Sequence, residues 1–300
     1  MTDIGMIESL MLSYVRELGD DIVALYEKIP VGKRLRAKLI LKISGNSDES
    51  LKVASIIELI HAASLLHDDV IDDALTRRGV ESINSLFGDK TAIMLGDILY
   101  SKAYEKLVSC DKKIAENISN AVALLSVGEL LDVELSHSLN LDREKYFDMI
   151  YKKTAILIEA TARSGAILAG LDEERYALYG KNLGLAFQVI DDVLDVVQDS
   201  KTLGKPALND FREGKTTLIY MDLIDELEKD ERAKVIGLFG KDLDGETKEW
   251  LLKKFHSSDA IKKSLLLAQK LGLEALEIVK NEPNARDLQK VIKEMIDREF

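Results

Sequence analysis

No proline interrupts the chain from Val31 to Lys205; the three prolines are Pro30, Pro206 and Pro283. Proline removes a backbone donor and blocks the preceding turn, so this long span is open to continuous helix. Within it, apolar side chains recur at three- and four-residue spacing, as at Leu51, Ala54, Leu59, Ala62 and Leu66, with Ser55 and Glu58 in the same register. No sustained two-residue alternation competes with this pattern, and the expected class is all-α.

Helix breaks are expected where glycine, proline or capping residues cluster: Ser44-Gly45-Asn46-Ser47-Asp48, Arg78-Gly79, Phe87-Gly88-Asp89, Ala169-Gly170-Leu171-Asp172 and Gly204-Lys205-Pro206. Two intervening segments, 155–169 and 183–197, are apolar around most of their circumference, as central helices of a bundle are. No low-complexity linker or fixed-period repeat appears, so residues 1–300 are expected to form a single domain. The 46% hydrophobic content suffices for a large core.

A net charge of −12 argues against a nucleic-acid partner held by a broad basic surface. The first residues, Met1 to Glu8, lack the pattern of a secretory signal, and no uninterrupted apolar run is long enough to span a bilayer. The expected location is cytoplasmic, without a transmembrane segment. Cys110, the single cysteine, has no internal disulfide partner.

Two acidic clusters stand out, Asp68-Asp69-Val70-Ile71-Asp72 and Asp191-Asp192-Val193-Leu194-Asp195. On a helix, positions i and i+4 share a face, so Asp68 with Asp72, and Asp191 with Asp195, each line up two carboxylates. Such pairs repel unless cations intervene. Hard oxygen donors suit Mg²⁺, which keeps several waters and bridges carboxylates to phosphate oxygens. One DDxxD string is expected by chance in about one such chain in four, so a single copy reads equally as a solvated helix face. Context separates the readings: Leu65-Leu66 precede the first cluster and Val189-Ile190 the second, and charges beside apolar residues need partners or metals.

Cations follow each cluster. Arg77-Arg78-Gly79 comes after the first, and Gly204-Lys205-Pro206 with Gly214-Lys215-Thr216-Thr217 after the second. Arginine forks and lysine point charges both recognise phosphate oxygens. A third basic group, Gly32-Lys33-Arg34-Leu35-Arg36, lies near the start, and His61 sits seven residues before Asp68 on a similar helical face. Alone, the former reads as a surface turn and His61 as a packed core histidine; together they suit a second phosphate-bearing ligand.

In order and spacing, these strings resemble the head-to-tail trans-isoprenyl diphosphate synthases, the polyprenyl synthase family, over nearly the whole chain. The matching residues are Gly32 to Arg36, His61 to Asp72 with Arg77-Arg78-Gly79, Leu95-Gly96-Asp97-Ile98-Leu99, Lys153-Thr154, Phe187 to Asp192, Gly204-Lys205-Pro206, Asp210 and Gly214-Lys215-Thr216. The resemblance implies one helical bundle with a central cavity (the isoprenoid synthase fold), a homodimer, and several Mg²⁺ ions gripping an allylic diphosphate between opposed aspartate faces. It assigns Asp68, Asp69, Asp72, Asp191, Asp192 and Asp195 to metal, with Asp68, Asp72 and Asp191 as direct ligands. It further assigns Arg77, Lys153, Thr154, Gln188, Lys205 and Lys215 to the allylic diphosphate, and Lys33, Arg36, His61 and Arg78 to isopentenyl diphosphate. The implied catalytic set is Asp68, Asp72, Arg77, Lys153, Asp191 and Lys205. Four positions depart from the usual pattern: Val31 and Ala37 where glycine and proline are frequent, Glu129 for a usual glutamine, and Ile219 for a usual proline. None removes a charged ligand.

The implied reaction joins the two diphosphates head to tail and releases pyrophosphate. Product length in such a family depends on the cavity floor upstream of Asp68, where each helical turn adds about 5.4 Å. Ala63 and Ser64 are small where short-chain members commonly carry aromatics, and Ile60 and Ile57 narrow the next turns without closing them. A product of about C30 to C40 is expected, with geranylgeranyl diphosphate as the shorter alternative and the facing helix near Leu124 and Leu125 as a further determinant. A class I terpene cyclase would pair its aspartate motif with an Asn/Ser/Glu motif, and a noncatalytic partner subunit would have lost aspartates; here both clusters are complete.

Overall fold

The computed structural model describes residues 2–197 and 208–296, and helices carry nearly all of their regular structure. In chain order these begin with α1 (Asp3–Arg16), α2 (Asp20–Tyr26), α3 (Leu35–Ser44), α4 (Asp48–Ile71), α5 (Ile83–Phe87) and α6 (Asp89–Leu107). Next come α7 (Lys112–Ser136), α8 (Arg143–Ile150), a π turn at Tyr151–Ala155, α9 (Ile156–Ala169) and α10 (Glu173–Val197). Further helices span Asn209–Arg212, Leu218–Glu226, Lys229–Leu238, Gly245–Ser257, Ala260–Val279 and Ala285–Ile296. The all-α class read from the periodicity is the class found.

Helix ends follow local chemistry. The side chains of Thr2, Ser47, Ser82, Asp142 and Asp244 accept from first-turn amides and so cap α1, α4, α5, α8 and the helix at Gly245. Gly45, Gly88 and Gly170 take positive φ at predicted breaks, where a side chain would be strained. The break at Gly204-Lys205-Pro206 lies outside the described residues.

The periodicity does not predict a small hairpin between α4 and α5. Strands β1 (Thr76–Arg77) and β2 (Val80–Glu81) pair antiparallel, Arg77 opposite Val80. Arg78 and Gly79 form its two-residue turn at φ 55° and 78°, the mirror-image turn that matches strand twist.

Close contacts gather the chain into two compact units. One contains residues up to Ala123, Leu157–Gly180 and Ile278–Val291. Its centre is α4, which packs against α1, α3 and α6 and buries Val53, Ala54, Ile56, Ile57, Leu59, Ile60 and Ala63 completely. Burying each large aliphatic contributes roughly 1.5–3 kcal/mol. Over an 18-residue window, α4 reaches the apolarity of a membrane span, at mean hydropathy 1.2, although the sequence shows no unbroken apolar run there. Within the protein, 72% of that stretch is buried, as in a core helix.

The other unit contains Leu124–Ile156, the described part of Lys181–Glu277, and residues 292–296. Val193 and Val196 of α10 pack with Phe211, Ile219, Tyr220, Leu223, Leu251 and Phe255. Edge-on aromatic contacts, Phe211 with Phe239 and Tyr220 with Phe255, both at 5.3 Å, fix this core beside the second acidic cluster.

Candidate active site

The first acidic cluster lies at the end of α4. Asp72 is the last turn's cap, and Asp73, at φ 48°, leaves the helix through the left-handed region. The chain then reverses, and the β1–β2 hairpin carries Arg77 back over the cluster. Arg77 Nε donates to Asp69 Oδ1 at 2.7 Å, and its Nη2 lies 3.0 Å from Asp68 Oδ2. Burial opposes the Arg77 charge, but these carboxylates outweigh it and raise its pKa. Asn84 Nδ2 donates to the carbonyls of Asp69 and Ala74, and Ser82 Oγ donates to Ala74, which ties the reversing loop to α5.

A second basic set surrounds His61. Burial, then the charges of Arg36, Arg78, Arg77 and Arg34, hold the imidazole pKa well below its ordinary value of 6.5. The ring therefore stays neutral among cations, an arrangement suited to a polyanion. Arg78 donates to the Pro30 carbonyl at 2.8 Å, and its guanidinium lies so close over Gly32 that a Cβ there would meet it at 2.6 Å. Arg34 adopts φ 53° and pairs with Glu58, a carboxylate of α4 that is 2% exposed. Glu58 also accepts the Ala37 amide at 3.0 Å, a bond that proline at this position cannot donate. Lys33 is exposed and Arg36 half-buried in the same unit.

Of the length-determining candidates, Ala63, Ile60 and Ile57 are fully buried on α4, and Ser64 is half-buried with its hydroxyl on the His61 carbonyl. His67, just before Asp68, seats its ring on Gly96 of α6, where a Cβ would approach Nε2 to 2.3 Å. The glycine of the Leu95-Gly96-Asp97 string thus lets α4 and α6 meet at that histidine.

The second acidic cluster belongs to the other unit, on α10. Asp192, 4% exposed, accepts from the Tyr146 hydroxyl at 2.5 Å and from Gln188 Nε2 at 2.8 Å, while Gln188 Oε1 accepts from Thr154 at 2.7 Å. Burial, then the Asp210 charge, pushes the Asp192 pKa well up, against the two hydrogen bonds. Asp195 accepts the backbone amides of Asn209 and Asp210, both at 3.2 Å, and burial followed by Asp210 raises it as well. Asp191 is half-buried on the same helix.

Lys153 sits in the π turn, a local widening common at functional sites. Glycines let neighbouring helices reach that turn: a Cβ on Gly128 of α7 would lie 2.2 Å from the Lys153 amide nitrogen, and one on Gly184 of α10 would lie 2.6 Å from Ala155 Cα. Lys153 Nζ contacts Asp132 at 2.6 Å and Glu129 at 3.1 Å. Lys215 follows Gly214, whose φ of 76° and close approach to the Ser136 carbonyl both require glycine, and its ammonium lies 2.9 Å from Glu213 and 3.8 Å from Asp132. Lys205 lies outside the described residues.

A single family model, polyprenyl synthetase, matches residues 22–254 and so draws on both units. The chain belongs to the polyprenyl synthetase family. Among solved structures, it is similar to an octaprenyl pyrophosphate synthase from Helicobacter pylori at 42% identity, covering 99% of this chain and 100% of that one, with a TM-score of 0.94. A polyprenyl synthase from Caulobacter crescentus, complexed with calcium and isoprenyl diphosphate, is 31% identical over 99% of this chain and 95% of its own, at a TM-score of 0.91. A geranylgeranyl diphosphate synthase of Sulfolobus acidocaldarius is 31% identical over 95% of this chain and 92% of its own. The isoprenoid synthase fold expected from the motifs is thereby shared with solved family members.

Around the second acidic cluster stand residues that the sequence motifs do not mark as ligands. Asp132 stands three positions after Glu129 on α7, a one-turn acidic spacing that was visible in the sequence. Tyr146 and Asp210 join through Asp192 and Asp195, and nothing local in the sequence marks Tyr146. Among the described residues no three His, Cys, Asp or Glu side chains form a closed cation cage. Mg²⁺ needs none, because it takes one or two carboxylates and completes its shell with water and phosphate oxygens; the chemistry of Asp68 and Asp72 in one unit, and of Asp191 in the other, is of that kind. An open cleft of about 500 Å³ beside Asp172, Glu174, Arg175, Leu178, Ile278 and Asn281 contains none of the predicted residues.

Proposed function

We propose that the protein is a magnesium-dependent trans-prenyltransferase, a homodimer that condenses an allylic diphosphate with isopentenyl diphosphate and repeats the step to about C30 to C40. The observation that carries this reading is the Arg77 guanidinium, held by the hairpin so that it forks Asp68 and Asp69 at the end of α4, in the same unit as Arg34, Arg36, Arg78 and His61. A cationic pocket beside paired hard-oxygen donors suits two diphosphates, one bound with metal and one without.

Asp68, Asp72 and Asp191 would hold the ions, with Asp69, Asp192 and Asp195 in support, and the metal would neutralise charge on the leaving pyrophosphate. Arg77, Lys153 and Lys205 stabilise the same developing charge from the protein side. Thr154, Gln188 and Lys215 orient the allylic diphosphate, while Lys33, Arg36, His61 and Arg78 hold isopentenyl diphosphate. The allylic carbon–oxygen bond breaks, the isopentenyl double bond supplies the electrons of the new carbon–carbon bond, and one proton leaves to the released pyrophosphate. The apolar face of α4, with Ala63, Ile60 and Ile57, excludes water that would otherwise capture the cation.

Full-length similarity to an octaprenyl synthase supports the long product, as does the absence of an aromatic at Ala63 and Ser64. Similarity to a geranylgeranyl synthase supports the shorter alternative. Chromatography of dephosphorylated products decides between them. Activity abolished by chelation and restored by Mg²⁺ tests the metal; activity that survives exhaustive chelation rejects it.

A further inference from the structure

We propose that Glu58 is a positioning residue for isopentenyl diphosphate: from the buried face of α4 it caps α3 across space and fixes the short basic turn from which Lys33 and Arg36 project. The inference rests on the assignment of Lys33 and Arg36 to that substrate.

The start of α3 has no cap of its own. Its N-cap residue is Arg34, whose side chain offers no acceptor to the first turn, where serine, threonine, aspartate or asparagine commonly supplies one. The acceptor comes instead from α4. Glu58 Oε1 accepts the Ala37 amide at 3.0 Å, and Ala37 is the third residue of α3, whose amide an N-cap side chain commonly takes. Glu58 Oε2 accepts from Arg34 Nη1 at 3.2 Å. One carboxylate therefore holds both ends of the step from Arg34 to Ala37, and it sets its negative charge at the positive end of the helix.

The pair is shielded from water: the side chains of Arg34 and Glu58 are 12% and 3% exposed. Glu8 of α1 lies a little farther off, 3.5 Å from Arg34 Nε. Arg34 takes φ 53°, a left-handed conformation that a residue with a side chain keeps only where its surroundings hold it. A buried ion pair is weak as a source of stability, because desolvation offsets its attraction, and its better use is to select one register. Here the register is that of the turn. Lys33 stands one residue before Arg34 and Arg36 two after it, so the backbone angle held at Arg34 decides how these two cations are set against each other. His61 stands three residues beyond Glu58, one turn along α4. Through Glu58, the helix that carries His61 thus sets the backbone of the two cations assigned to the same diphosphate.

The test is steady-state kinetics, paired with calorimetric titration of isopentenyl diphosphate, on the wild type, Glu58→Gln, Arg34→Gln and the double variant. Glutamine at 58 keeps an oxygen for the Ala37 amide and loses the charge that holds Arg34. Every variant is expected to raise KM and Kd for isopentenyl diphosphate at least about fivefold, while KM for the allylic diphosphate stays within about twofold of the wild type. The double variant should bind isopentenyl diphosphate no more weakly than the weaker single variant, because the two side chains act as one unit. It also buries no charge at either position, so it carries the test where a single variant does not fold. An unchanged KM for isopentenyl diphosphate in any folded variant, equal losses on both substrates, or losses that add in the double variant overturn the inference. If the wild type itself neither binds isopentenyl diphosphate nor condenses its substrates, the proposed function fails instead.

Discussion

Arg77 and Asp69 are joined by a 2.7 Å bond from Nε to Oδ1, and Asp69 is only 4% exposed. The pairing makes the hairpin turn at Arg78-Gly79 part of the site, since the turn determines where Arg77 returns along α4. Arg77→Lys keeps the charge and loses the fork that spans Asp68 and Asp69. The expected result is a fall of about 10²-fold in kcat/KM for the allylic diphosphate. Melting should report a loss of about 1–3 kcal/mol as Asp69 is left poorly paired. Kinetics within threefold of the wild type would remove Arg77 from the proposed leaving-group clamp.

Gly128→Ala places a Cβ 2.2 Å from the Lys153 nitrogen, a contact with backbone that no rotamer change relieves. The π turn and α7 must move apart, at a cost of about 1–3 kcal/mol in stability. Lys153 moves with them, so KM for the allylic diphosphate should rise while KM for isopentenyl diphosphate holds. Equal effects on both substrates would mean that the glycine acts on the whole unit and not on Lys153.

His61 gives a pH signature. Burial and the four arginines hold its pKa well below 6.5, so the unfolded chain takes up a proton in mild acid that the folded protein refuses. Stability from this source is complete above the unfolded pKa, and it is lost as pH falls from there toward the folded pKa, by up to about 1.4 kcal/mol per pH unit. Asp192 and Asp195, raised by burial and by Asp210, titrate with the opposite slope, but they are common to wild type and variant. The difference in melting temperature between wild type and His61→Gln, followed from about pH 7 to about pH 5, should therefore narrow steadily or reverse in favour of the variant. A constant difference would mean that His61 titrates normally.

Ala63 is fully buried on α4, so Ala63→Phe discriminates between two surroundings. If its methyl borders the product tunnel, phenylalanine fills the tunnel, shortens the products by one or more isoprene units, and leaves KM for isopentenyl diphosphate within about twofold. If it is embedded in packed core, product length stays the same and the protein loses stability.

The helical class was legible because a proline-free span with three- and four-residue apolar spacing has few other solutions. The breaks at Gly45, Gly88 and Gly170 were legible through positive-φ glycines. The hairpin at Thr76–Glu81 was not: its strands are two residues each, too short for alternation to register, and its turn puts an arginine in the left-handed region. The π turn was equally hidden, because one wider turn leaves no compositional mark; the glycines facing it, Gly128 and Gly184, sit in ordinary helical sequence. Within Asp191-Asp192-Val193-Leu194-Asp195 the aspartates look alike on paper. The fold separates them, since Tyr146 and Gln188 occupy Asp192 and the amides of Asn209 and Asp210 occupy Asp195.

The account stands most directly on transfer of label from isopentenyl diphosphate into a longer allylic chain. Purified protein should be incubated with Mg²⁺, labelled isopentenyl diphosphate and, in separate reactions, dimethylallyl, geranyl, farnesyl and geranylgeranyl diphosphates. The predicted result is stoichiometric pyrophosphate release and labelled products extended in five-carbon steps, abolished in Asp68→Asn and Asp191→Asn. Absence of elongation from every primer by folded wild-type protein would contradict the account.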